Sequence, residues 1–115
     1  MINEDWISEI LTQYKRFGWQ LERVLLSKPL RENLDGSVDT LFERRLVRDS
    51  DLDAAWFSRR ATNGRIAWEL RALSNSPFAL VDSSEPEASE SDLSEMFCRV
   101  EDEMRQRSIR PFAGQ

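Results

Sequence analysis

The chain has 115 residues, 40% of them hydrophobic and 32% charged, with a net charge of −5. That is enough apolar material for one domain with its own core, and it argues against global disorder. There is no histidine, a single cysteine and only two lysines, which removes Ser-His and Cys-His nucleophile systems, histidine metal sites, thiolate zinc and iron–sulfur sites, and most lysine chemistry.

Further absences narrow the range. The four glycines fall in no GxGxxG or GxxxxGK pattern, so no phosphate-cradling loop is expected. No apolar run reaches the roughly 18 residues that a membrane-spanning helix needs. The opening MINEDWISE lacks the basic and apolar regions of a signal peptide. Together with the lone Cys98, it points to a reducing cytoplasm. No cofactor or metal is expected, and the balance leans away from an enzyme.

Taken in chain order, residues 4–17 form an amphipathic helix. Trp6, Ile7, Ile10, Leu11, Tyr14 and Phe17 recur at three- and four-residue spacing, with Asn3 as N-cap and Gly18 beyond the C-terminus. Residues 19–27, ending in Val24-Leu25-Leu26, read as a strand, although the helical stripe also extends through Leu21, Val24 and Leu25. A continuous helix would carry Gly18 inside it at a cost of about 1 kcal/mol relative to alanine. Lys28-Pro29 ends the element on either reading. Residues 28–50 are the least legible: Asp35-Gly36 marks a turn, and Val38, Leu41, Phe42 and Leu46 suit a short helix or an alternating strand equally.

The centre of the chain is Asn63-Gly64, a dipeptide suited to the two positive-φ positions of a type I′ hairpin turn. A two-residue loop pairs Thr62 with Arg65 and places Phe57 opposite Leu70, Arg59 opposite Trp68 and Trp56 opposite Arg71. The competing reading makes 51–62 a helix capped by Ser50 and closed by Asn63-Gly64. The hairpin is preferred because residues 66–73 alternate and need an antiparallel neighbour. Ser74-Asn75-Ser76-Pro77 is a turn by composition, followed by a short strand over 78–81. Residues 82–92, DSSEPEASESD, read as a solvated acidic loop. A closing helix covers about 90–107 with Leu93, Phe97, Val100 and Met104 as its stripe, and 108–115 forms a tail.

Charge is unevenly spread. From Arg44 to Arg71 seven arginines stand against four acids, a balance of +3, whereas from Ala72 to Glu103 nine acids stand against Arg99, a balance of −8. Nucleic acid is an unlikely partner for so acidic a chain unless Arg59, Arg60, Arg65 and Arg71 share one face. Asp49-Ser50-Asp51-Leu52-Asp53 resembles the start of a calcium loop, but Ala54 replaces the required glycine and Arg60 stands where a bidentate glutamate belongs. Cys98 lies beside the last helix's apolar stripe and reads as an inert small residue.

The fold expected is α+β: an antiparallel sheet of three to four strands, with the N- and C-terminal helices packed on one face, in a single domain over 1–115. The outer face of that sheet would carry Trp56, Ser58, Arg60, Glu69, Arg71, Leu73, Phe78 and Leu80. Tryptophan, arginine and surplus apolar area on one face resemble an association surface. The expected function is therefore a non-catalytic interaction or regulatory module, pairing as a homodimer or with another protein. The alternative is a small-molecule binding protein or an acid-and-arginine enzyme with Glu69 as base, its pocket lying between sheet and helices.

Overall fold

In a computed structural model of the chain, which describes residues 3–74 and 78–109, helix α1 spans Glu4–Arg16. Asn3 caps it by accepting from Trp6 N–H at 2.9 Å, acids occupy its first turn, and Lys15 and Arg16 occupy its last. Gly18, at φ +87°, turns the chain into strand β1, Gln20–Leu26. The separate helix and strand thus replace the long-helix alternative.

Ser27 caps helix α2, Lys28–Leu34, and Pro29 sits in its first turn, where a missing N–H costs nothing. Helix α3, Ser37–Leu41, and a 3₁₀ turn at Arg44–Leu46 lead to a short strand β2, Val47–Asp49. Strand β2 runs parallel to β1, with Val24 beside Val47. A parallel neighbour requires a crossover connection, and the α2–α3 segment supplies it. The sheet is consequently mixed and five-stranded, not purely antiparallel.

Strands β3, Ala54–Arg60, β4, Ile66–Ala72, and β5, Ala79–Ser84, complete the order β2-β1-β3-β4-β5. The β3–β4 hairpin differs from expectation by one residue. Ala61 N–H donates to the Arg65 carbonyl at 2.8 Å, so the loop is Thr62-Asn63-Gly64. Gly64 has φ +85°, and Asp35 is the non-glycine residue with positive φ among those described. This is the three-residue turn with one left-handed glycine, not the two-residue form that would also need Asn63 at positive φ. Trp56 therefore pairs with Leu70, and Phe57 with Glu69.

Burial explains why this register wins. It gathers Leu25, Ala54, Trp56, Trp68, Leu70 and Ala72 on one face, against Met96, Phe97, Val100 and Met104 of helix α4, Glu90–Ile109. The other face holds Val24, Leu26, Ala55 and Phe57 against Ile7 and Ile10 of α1, with Leu30 and Leu34 of α2 and Val38 of α3. A shift of one residue would send each strand's side chains to the wrong helix. The terminal helices thus lie on opposite faces, correcting the expectation of a shared one. The run Ala54-Ala55-Trp56-Phe57 is apolar throughout because β3 is buried on both sides.

A bulge in β1 serves the same arrangement. Pairing with β3 shifts between Leu21 and Arg23, so an extra residue enters β1. Glu22 reaches Ser58 Oγ at 2.5 Å, while the Arg23 guanidinium lies 4.7 Å from the Phe97 ring centre. Strand β5 extends through Ser84, three residues past the expected end, and Ser84 Oγ accepts from Trp68 Nε1 at 2.9 Å. The tail expected over 108–115 falls almost wholly outside the described residues.

Candidate interaction surface

The eight residues expected on one outer sheet face are divided between two. Trp56 is fully buried under α4, with its Nε1 donating to Glu101 Oε2 at 2.8 Å and its ring 4.7 Å from Phe97. Ser58 is buried against Glu22. Phe78 and Leu80 pack at the margin of the same cluster, and Arg60 is exposed at the end of β3. Leu73 is buried with the α1 cluster. Glu69 and Arg71 lie on the α1 side, where Arg71 hydrogen-bonds the Ala72 carbonyl. The one-residue register shift produces this division, because neighbouring residues of a strand point to opposite faces.

Two layers cover the sheet unequally. Helix α4 has 20 residues and α1 has 13, which at 1.5 Å per residue gives about 30 and 20 Å of rod. Helix α1 and the short α2 and α3 cover β1 and β3 on their side and reach β4 through Tyr14, which bonds Glu69, and Trp6, which bonds the Ser74 carbonyl, leaving β5 there without a helix. Pairing places Glu69 of β4 beside Phe57 of β3 and Val81 of β5. Val81 is 71% exposed and Phe17, at the end of α1, is 62% exposed.

A cleft opens beside Phe17. Tyr14 stacks on Phe57 with ring centres 4.0 Å apart, and its hydroxyl donates to Glu69 Oε2. Trp19 meets Tyr14 edge-on at 6.0 Å. The Arg59 guanidinium lies 4.7 Å from the Trp19 ring centre and donates to the Phe17 carbonyl at 3.0 Å. Gln13, Tyr14, Phe17, Trp19, Arg59 and Glu69 line a cavity of about 310 Å³. Burial, followed by the Glu69 hydrogen bond and charge, pushes the Tyr14 phenol above its ordinary acidity range. The phenol is thus neutral and donates to one oxygen of the Glu69 carboxylate.

Other candidate groups disperse. Asp49 pairs with Arg31, Asp51 with Arg105, and Asp53 with Ser27, so the three acids of the calcium-like stretch serve three different partners. Hydrogen bonds from Arg105 hold the Asp51 carboxyl below the usual carboxylate range. Among the described residues, no group of three or more acids, cysteines or histidines is placed to hold a metal ion. Arg59 and Arg60 leave β3 on opposite faces, and Arg65 is paired with Glu85 at 2.8 Å, so the four arginines form no single basic stripe. Cys98 is an exposed free thiol. No helix among the described residues is long and apolar enough to cross a membrane.

Phe17, Trp19, Tyr14 and Val81 were not singled out as surface residues by sequence, because each fits an apolar stripe or strand. The available signal was Gly18: a helix ending there leaves Phe17 on the last turn with nothing beyond it to pack against. No known protein family, curated protein or solved structure matches the chain.

Proposed function

We propose that this protein is a non-catalytic interaction module that self-associates through the open β5 margin of its sheet on the α1 side. The observation that carries this reading is the uncovered strand β5 on the α1 side, where Val81 is exposed beside Glu69, together with Phe17, exposed at the rim of the cleft that Tyr14, Glu69 and Arg59 line. Aromatic, arginine and aliphatic groups around a charged rim have the composition of a protein–protein contact. The exposed free thiol of Cys98 suits a reducing compartment, and the cytoplasm is the proposed location. Sedimentation across a wide concentration range tests the reading: a concentration-dependent dimer is expected, and a monomer that persists at millimolar concentration would overturn it.

The cavity beside Glu69 favours a second reading, a binding site for a small ligand. Its walls are largely aromatic with a few polar groups converging on them, as ligand sites usually are. Native mass spectrometry on protein gently purified from its own host separates the two. A monomer carrying a reproducible small adduct would favour the ligand.

A further inference from the structure

We infer that two copies of this chain join through their β5 edges, antiparallel, with Val81 opposite Val81, to form one continuous ten-stranded sheet. The inference rests on the self-association proposed above and places the contact at the β5 edge, where Val81 borders the open face. Strand β5 ends the sheet order, so one side of its backbone has no strand beside it among the described residues. The Ala72 N–H donates to the Phe78 carbonyl at 2.9 Å, and Leu70–Leu80 and Trp68–Asp82 continue that ladder. In an antiparallel pair, bonding residues alternate with non-bonding ones. Leu80, Asp82 and Ser84 therefore turn their backbone groups towards β4, while those of Ala79, Val81 and Ser83 turn outward.

The two edges of the sheet are protected differently. Strand β2 has three residues, two of them exposed charges, Arg48 and Asp49. Short, charged edges resist pairing. Strand β5 has six residues, no lysine and no proline within it. Its one charge, Asp82, is held by Arg99 at 2.7 Å on the α4 side. Asp82 Oδ1 also accepts from Ser83 N–H at 2.7 Å, leaving the Val81 and Ala79 donors as the outward pair to be met.

The sequence of β5 then selects the register. Outward groups must meet outward groups, so Ala79, Val81 and Ser83 pair among themselves. Centring the twofold axis on Asp82 would set two carboxylates face to face, which is unfavourable. Centring it on Leu80 keeps only a three-residue ladder inside the strand. Centring it on Val81 keeps five residues: Val81 meets Val81, Ala79 meets Ser83, and Leu80 meets Asp82. Val81 then donates to and accepts from its own counterpart, and the two exposed valine side chains lie side by side. This register is self-complementary, as a twofold contact between two copies of the chain requires.

The test uses the full chain and two variants, Val81→Lys and Val81→Glu, whose side chains replace one that is already exposed. Sedimentation of the wild type should show a dimer, and each variant alone should weaken it at least about tenfold, because like charges are placed opposite one another. Mixing the two variants in equal amounts should restore dimers, each carrying one lysine and one glutamate. A wild-type dimer whose affinity neither variant changes, or weakened variants that do not recover on mixing, would overturn the edge pairing while leaving self-association standing. A wild type that stays monomeric would overturn both.

Discussion

The α4 side and the α1 side of one sheet solve the same covering problem with different results. On the α4 side a 20-residue helix lays Met96, Phe97, Val100 and Met104 over β3 and β4, and Trp56, Trp68 and Phe97 form an interlocked aromatic cluster. On the α1 side three shorter helices cover β1 and β3 and stop, leaving Glu69, Arg71 and Val81 at or beyond their margin. The difference lies in how the helices are placed and in β4: β3 is apolar on both faces, but β4 turns Trp68, Leu70 and Ala72 towards α4 and Glu69 and Arg71 towards α1. Stability is concentrated where the cover is complete, and the proposed association uses the part that is not covered.

Removing the centre of the closed side should have the largest effect. Trp56 is fully buried and also donates to Glu101, so Trp56→Ala should lower unfolding free energy by about 3–5 kcal/mol, read by urea denaturation. An effect under about 1 kcal/mol would mean that α4 does not seal this face.

At the margin of the open side the effect should be smaller. Tyr14→Phe removes the hydroxyl that bonds Glu69 but keeps the stack on Phe57, so a loss of about 1 kcal/mol is expected in the same measurement. Tyr14 is the chain's single tyrosine, so its ionisation can be followed alone by ultraviolet absorbance. Its folded acidity constant is raised above the ordinary value of 10.0. A raised value means that the stabilisation is fully present below pH 10.0 and fades as pH climbs through the folded midpoint. The native titration should therefore fall at higher pH than in denaturant, and coincident curves would dissolve the Tyr14–Glu69 contact.

The smallest effect should come from the bare strand. Val81 is 71% exposed, so Val81→Thr should change the stability of the dilute monomer by less than about 0.5 kcal/mol. A larger loss would show that this strand is covered after all, which would remove the ground for docking there.

The sequence by itself determined the parts whose causes are local. Asn3 and Gly18 bound α1, the apolar alternation of 66–73 marked β4, and the spacing of Phe97, Val100 and Met104 located α4. The parallel placement of β2, the register of the hairpin and the opposite placement of the terminal helices were decided only in three dimensions. Asn63-Gly64 is compatible with two loop lengths that differ by one residue, and local turn preference separates them weakly. Burying Trp56 with Leu70 under one helix and Phe57 under another separates them by the cost of exposing two aromatic side chains, several kcal/mol on the scale of buried apolar area. That choice also divided the expected binding patch, sending Trp56 inward and leaving Glu69 at the surface cleft. A strand read alone cannot say which of its faces will meet a helix, because both faces of β3 are apolar and only the lengths and positions of distant helices distinguish them.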